Sequence, residues 1–81
     1  GTIEEQTAQS LSNIKNILAE NGMTMANVIK TSVFLADLGD FAAMNAVYAE
    51  SFSEPFPARS CVQVAAIPKG CKVEIECIAV K

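Results

Sequence analysis

"RSCVQVAAIPKGCKVEIECIAV", residues 59–80, is the stretch whose reading decides the fold. Two β-rich runs flank a Pro-Lys-Gly break. The first, residues 59–67, reads as one strand. The second, residues 72–80, alternates through its first half, with Val73, Ile75 and Cys77 on one face and Glu74 and Glu76 on the other. Taken locally, so short a break predicts a tight hairpin.

Upstream, Pro55 and Pro57 force an extended entry into the first of these strands. Before them, Asp40 is placed to cap a helix carrying Phe41, Met44, Val47 or Tyr48, and Phe52 at helical spacing, ending near Ser53. "NVIKTSVFLAD", residues 27–37, is β-branched and aromatic, and its second half is apolar on both sides, as in a strand covered on two faces. At the front, "TIEE" is a capping box, with Thr2 as cap and Glu5 reaching back. Ile3, Thr7, Leu11, Ile14 and Leu18 then recur along one face, Ile17 is expected to widen the stripe, and Gly22 closes a helix running to about Asn21. The order helix, strand, helix, strand, strand predicts an α+β fold with both helices on one side of a small sheet. Three strands make a narrow platform for two broad apolar stripes. Further strands are therefore expected, either before Gly1 or on a separate N-terminal polypeptide.

Composition bounds the function. At 81 residues the chain is one small domain, which buries only a little over ~60% of its unfolded surface. Yet 51% of its residues are hydrophobic and its mean hydropathy is +0.29, which points to apolar surface given over to another copy. With a net charge of -3 and six scattered basic residues, no nucleic-acid footprint is expected. No apolar run approaches the ~20 residues of a membrane span. There is no histidine, and Cys61, Cys71 and Cys77 form no metal-ligand spacing, so neither a metal nor a cofactor is expected and the cysteines read as reduced thiols of a cytoplasmic chain.

Few residues are left to carry chemistry. Arg59 presents a permanently charged donor fork matched to a carboxylate. Otherwise it is a solvated charge at a strand end. Glu74 and Glu76 share a face that continues into Ile78 and Val80; one of them holds a water or accepts a proton, or both guard an edge strand. Cys61 lies on the face of Arg59 and reads as an apolar filler more readily than as a reactive thiol, having no histidine as base. Asn45, in mid-helix, bonds a neighbouring loop or faces solvent. Ser60 has no base beside it.

Residues 27–52, "PARSCVQVAAIPKG" (57–70), "VEIECIAV" (73–80) and "EEQTAQSLSNIKNIL" (4–18) together resemble the RidA/YjgF family of enamine/imine deaminases along essentially the whole chain. The resemblance implies a single RidA-like domain over residues 1–81, lacking a front portion on the order of forty residues that bears further strands and part of the family's site. It implies a Bacillus chorismate mutase-like fold, a mixed sheet backed by two helices and assembled as a homotrimer. Strand 28–36 then lies between the last two strands, against the local hairpin. It implies hydrolysis of 2-aminoacrylate or 2-iminobutanoate to 2-keto acids and ammonia, without cofactor or metal, in an intersubunit cleft. Arg59 matches the substrate-binding arginine, Glu74 the glutamate that polarises water, and Ser60 and Cys61 positions lining the pocket. The alternative is a non-catalytic regulatory trimer that binds small keto or imino acids in the same cleft.

Overall fold

Thr2 begins the first helix, α1 (Ile3–Glu20), through the capping box read from the sequence. Its hydroxyl accepts from the Glu5 N–H at 3.1 Å, while Glu5 Oε1 accepts from the Thr2 N–H at 2.9 Å. At the far end Gly22 takes a left-handed φ of 70°, where a Cβ is costly. The Gly22 N–H bonds the Ala19 carbonyl and the Met23 N–H bonds that of Leu18, which is the paired closure of a Schellman motif. Ile3, Thr7, Leu11 and Leu18 face inward, with Ile14 half-buried. Thr7 satisfies its buried hydroxyl by donating to the Ile3 carbonyl at 2.7 Å. Ile17, expected to widen this stripe, is 60% exposed. It sits about 100° around the helix from Leu18 and falls outside the packed seam.

The computed structural model describes residues 1–54 and 56–81; the extended entry expected at Pro55 lies outside them. After α1 come β1 (Val28–Leu35), α2 (Phe41–Glu50), β2 (Ala58–Gln63) and β3 (Val73–Ala79), giving the expected α+β class. The strand order is β2-β1-β3, with β1 parallel to β2 and antiparallel to β3. The local hairpin expectation is therefore wrong, and the expectation of 28–36 as the central strand holds. β1 carries Val33 and Leu35, both fully buried, and a hairpin of its neighbours would leave one edge of this apolar strand unpaired. Instead the turn Pro68–Gly70 steps past the end of β1, with Lys69 and Gly70 both at positive φ.

Both helices cover one face of the sheet. α1 packs on α2 and on β3. Val33, Leu35 and Met44 are fully enclosed, each contributing roughly 1.5–3 kcal/mol of burial. The other face carries Phe34 only half-buried and Val62 and Ile78 exposed, so β1 is not covered on both sides as its sequence predicts. One cap and two boundaries also differ. Asp40 occupies the N-cap of α2 without a side-chain bond, and Asp37 instead accepts from the Gly39 N–H at 2.8 Å. α2 stops at Glu50, and Phe52 turns in beyond it to stack on Tyr48, ring centroids 4.7 Å apart. β2 ends at Gln63 rather than Ile67 because its partner ends; the Val64 N–H bonds the Leu35 carbonyl and the strand has no further ladder. No helix among the described residues is long and apolar enough to cross a membrane.

Candidate functional site

Register determines which way each candidate points. Arg59 pairs with Thr31 and Cys61 with Val33, so both stand on the helix-covered face of the sheet. Because β2 is an edge strand, Arg59 reaches α2 near its rim. There Phe41, Asn45 and Tyr48 recur at helical spacing and present one face. The guanidinium carbon lies 5.3 Å from the Phe41 ring centroid and 4.9 Å from that of Tyr48. Both are within cation–π range, worth about 0.5–1 kcal/mol at an exposed site. Nη1 donates to Asn45 Oδ1. That partner is a neutral amide, so the contact fixes the guanidinium without cancelling its charge. The sequence left Asn45 between a loop and solvent; the structure gives it Arg59 instead.

Tyr48 is fixed in turn. Its hydroxyl and that of Thr31 share a buried hydrogen bond of 2.6 Å. The ring against Arg59 is thus anchored to the central strand from below and by Phe52 from the side. A shallow depression of about 330 Å³ opens here, walled by Asn45, Tyr48, Phe52, Phe56, Pro57 and Arg59. Phe56 is 62% exposed at its rim. The site combines a cation that no acidic side chain pairs among the described residues, an aromatic floor and room for a small molecule, which suits an organic anion.

Cys61 is half-buried against the core. Burial pushes its thiol up, and the pull of the Arg59 charge in the other direction is the smaller effect. It therefore stays protonated and acts as packing, as its lack of a base predicts. Ser60 pairs with Ser32 and Glu74 with Phe34, which places both on the open face. Arg59 and Glu74 are consequently on opposite faces and on the two outer strands. Within one chain they do not meet. Glu74 shares its face with Glu76, Ile78 and the half-buried Phe34. The aromatic flank of Arg59 is the part sequence reasoning missed; the spacing of Phe41, Asn45 and Tyr48 was the available signal. Among the described residues no group of three or more His, Cys, Asp or Glu side chains converges as a metal site.

Comparison with known proteins gives a consistent outcome. The family described as Endoribonuclease L-PSP matches residues 1–81. Protein mmf1, mitochondrial, of Schizosaccharomyces pombe is 48% identical over 84 residues, covering 100% of this chain and 52% of the relative. A 2-iminobutanoate/2-iminopropanoate deaminase of Capra hircus is 51% identical over 81 residues, covering 100% of this chain and 59% of the relative. The crystal structure of E. coli TdcF with bound serine superposes with a TM-score of 0.95 at 45% identity, covering 100% of this chain and 66% of that one. The chain thus spans between half and two-thirds of the length of these proteins.

Proposed function

Because the chain belongs to the RidA/YjgF family, we propose that it forms the larger part of an imine deaminase, which hydrolyses 2-aminoacrylate or 2-iminobutanoate to the 2-keto acid and ammonia. One observation carries this reading: the Arg59 fork is held against α2 by a neutral partner beside an open depression. The substrate carboxylate docks on the free N–H donors of Arg59, which orients the C=N bond. Water adds to the imine carbon, its hydroxyl forming the new C–O bond while its proton passes to nitrogen. The resulting carbinolamine collapses to the ketone and expels ammonia. An enamine substrate first takes a proton at its terminal carbon and releases one from nitrogen to solvent, which makes it the imine.

Glu74 polarises the water. Since it stands on the opposite face from Arg59, the reaction needs Glu74 from a neighbouring copy, and the cleft lies between subunits of a homotrimer. The exposed Val62 and Ile78 on that open face are consistent with cover by another copy. Ser60 and Cys61 line the pocket through their backbone. The names of the Capra hircus relative and the serine bound to the E. coli relative both support a small carboxylate as ligand. The family description carries a nuclease name; a net charge of -3 and the absence of histidine weigh against RNA cleavage here. The protein works in the cytoplasm, and the portion by which its relatives are longer supplies the remaining pocket wall.

A second reading, a sensor that binds keto or imino acids without turnover, is favoured only by the ligand-bound relative. Release of ammonia and 2-keto acid above the spontaneous rate separates the two. Arg59→Ala abolishes this release with little loss of stability, the side chain being largely exposed, and Arg59→Lys loses much of it because a point charge does not reproduce the fork. Full activity of Arg59→Ala on freshly generated 2-aminoacrylate would refute the assignment.

A further inference from the structure

We propose that Asn45 is the positioning residue of the anion site, fixing the Arg59 guanidinium while leaving its charge uncompensated. The inference rests on the imine reading for its substrate but on geometry for its substance. An arginine at a strand edge has four rotatable side-chain bonds and swings freely unless something holds it. Here two rings take up its surface, and one of its five N–H donors goes to Asn45 Oδ1, leaving four for a ligand.

Asn45 is out of place by helix propensity. α2 reads FAAMNAVYAE, where every other position is alanine, a large apolar residue or the terminal glutamate. Asparagine in a helix interior competes with the backbone and is disfavoured relative to alanine. A locally unfavourable residue with a specific partner marks a functional constraint. The choice of amide over acid is the informative part. Aspartate has the same shape and would hold the guanidinium more strongly, but as an ion pair. Such a pair discharges the site and repels an incoming carboxylate. Alanine leaves the charge and releases the orientation. The amide alone keeps both.

Two variants separate the two duties, read by steady-state hydrolysis of 2-iminobutanoate and by calorimetric binding of 2-oxobutanoate. Asn45→Ala is expected to raise KM and the 2-oxobutanoate Kd about tenfold, the scale of one hydrogen bond to a charged group, with a smaller fall in kcat. Asn45→Asp is expected to be the worse of the two, raising both constants about a hundredfold, although it is the more conservative in shape. A residue that served only the helix would leave both constants unchanged in Asn45→Ala, since alanine is the better helix former. In nitrogen NMR, the Arg59 guanidinium rotates slowly in the parent and in Asn45→Asp, and fast in Asn45→Ala. Unchanged KM and Kd in Asn45→Ala, with Arg59→Ala inactive, would overturn the positioning role and leave the imine reading intact. Asn45→Asp binding 2-oxobutanoate as well as Asn45→Ala would overturn the charge argument. An active Arg59→Ala would instead strike the imine reading itself.

Discussion

The Thr31–Tyr48 hydrogen bond joins the core to the site, and its energetics are open to a double-mutant cycle. Thr31 is fully buried and Tyr48 nearly so, and the bond between their hydroxyls is 2.6 Å long. Tyr48→Phe strands the Thr31 hydroxyl in an apolar setting, and Thr31→Val strands that of Tyr48. Each single change costs the desolvation of an unmade bond, about 1–3 kcal/mol. The double variant replaces both partners by apolar groups of the same shape and strands nothing. Its cost is expected to fall below the sum of the singles by about 1–2 kcal/mol. Urea unfolding at one fixed protein concentration reads this as a shift in midpoint at constant slope. Near the thermal midpoint, 1 kcal/mol corresponds to roughly 4–8 °C for a domain of this size. Strictly additive singles would refute the claim that the pair is a mutually dependent buried unit. Tyr48→Phe keeps the ring against Arg59, so its loss of stability is expected without a matching loss of anion affinity.

Two further outcomes follow from ionisable groups. Hydrogen bonds from the Thr2 backbone N–H and, secondarily, the Thr2 hydroxyl hold the Glu5 carboxyl below the ordinary carboxylate value. The stabilisation it gives the start of α1 is therefore present above that ordinary value and lost as pH falls through the lowered one; Glu5→Gln should flatten this acid-side loss of amide protection in the first turn. Burial pushes the thiols of Cys61 and Cys77 up, whereas Cys71 is exposed. Iodoacetamide at pH 8 is expected to label Cys71 first, and mass spectrometry showing Cys61 labelled first would contradict a packing role for it.

Much of the fold was legible where the signal is local. The capping box at Thr2 and the closure at Gly22 bound α1 to within a residue, because helix ends are satisfied by their own neighbours. Strand order was not legible locally. Nothing within residues 59–80 reports that β1 must pair on both sides; that follows from the buried apolar residues of a strand some thirty positions earlier. The end of β2 at Gln63 was hidden for the same reason, since a strand stops where its partner does. Arg59 stood out by residue type, but its holder, Asn45, lies fourteen residues upstream on another element. That Arg59 and Glu74 face opposite ways is a matter of parity. Their partners on β1, Thr31 and Phe34, are an odd number of residues apart, which only the register reveals.

This parity makes the central claim testable by subunit mixing. Arg59→Ala and Glu74→Gln are each expected to be inactive alone. Unfolded together in equal amounts and refolded, they form mixed assemblies in which a site drawing Arg59 from one copy and Glu74 from its neighbour is intact about one time in four. Recovery of about a quarter of the parent imine hydrolysis is the predicted result. A mixture as inactive as its components, with exchange of subunits verified by native mass spectrometry, would contradict a site shared between copies.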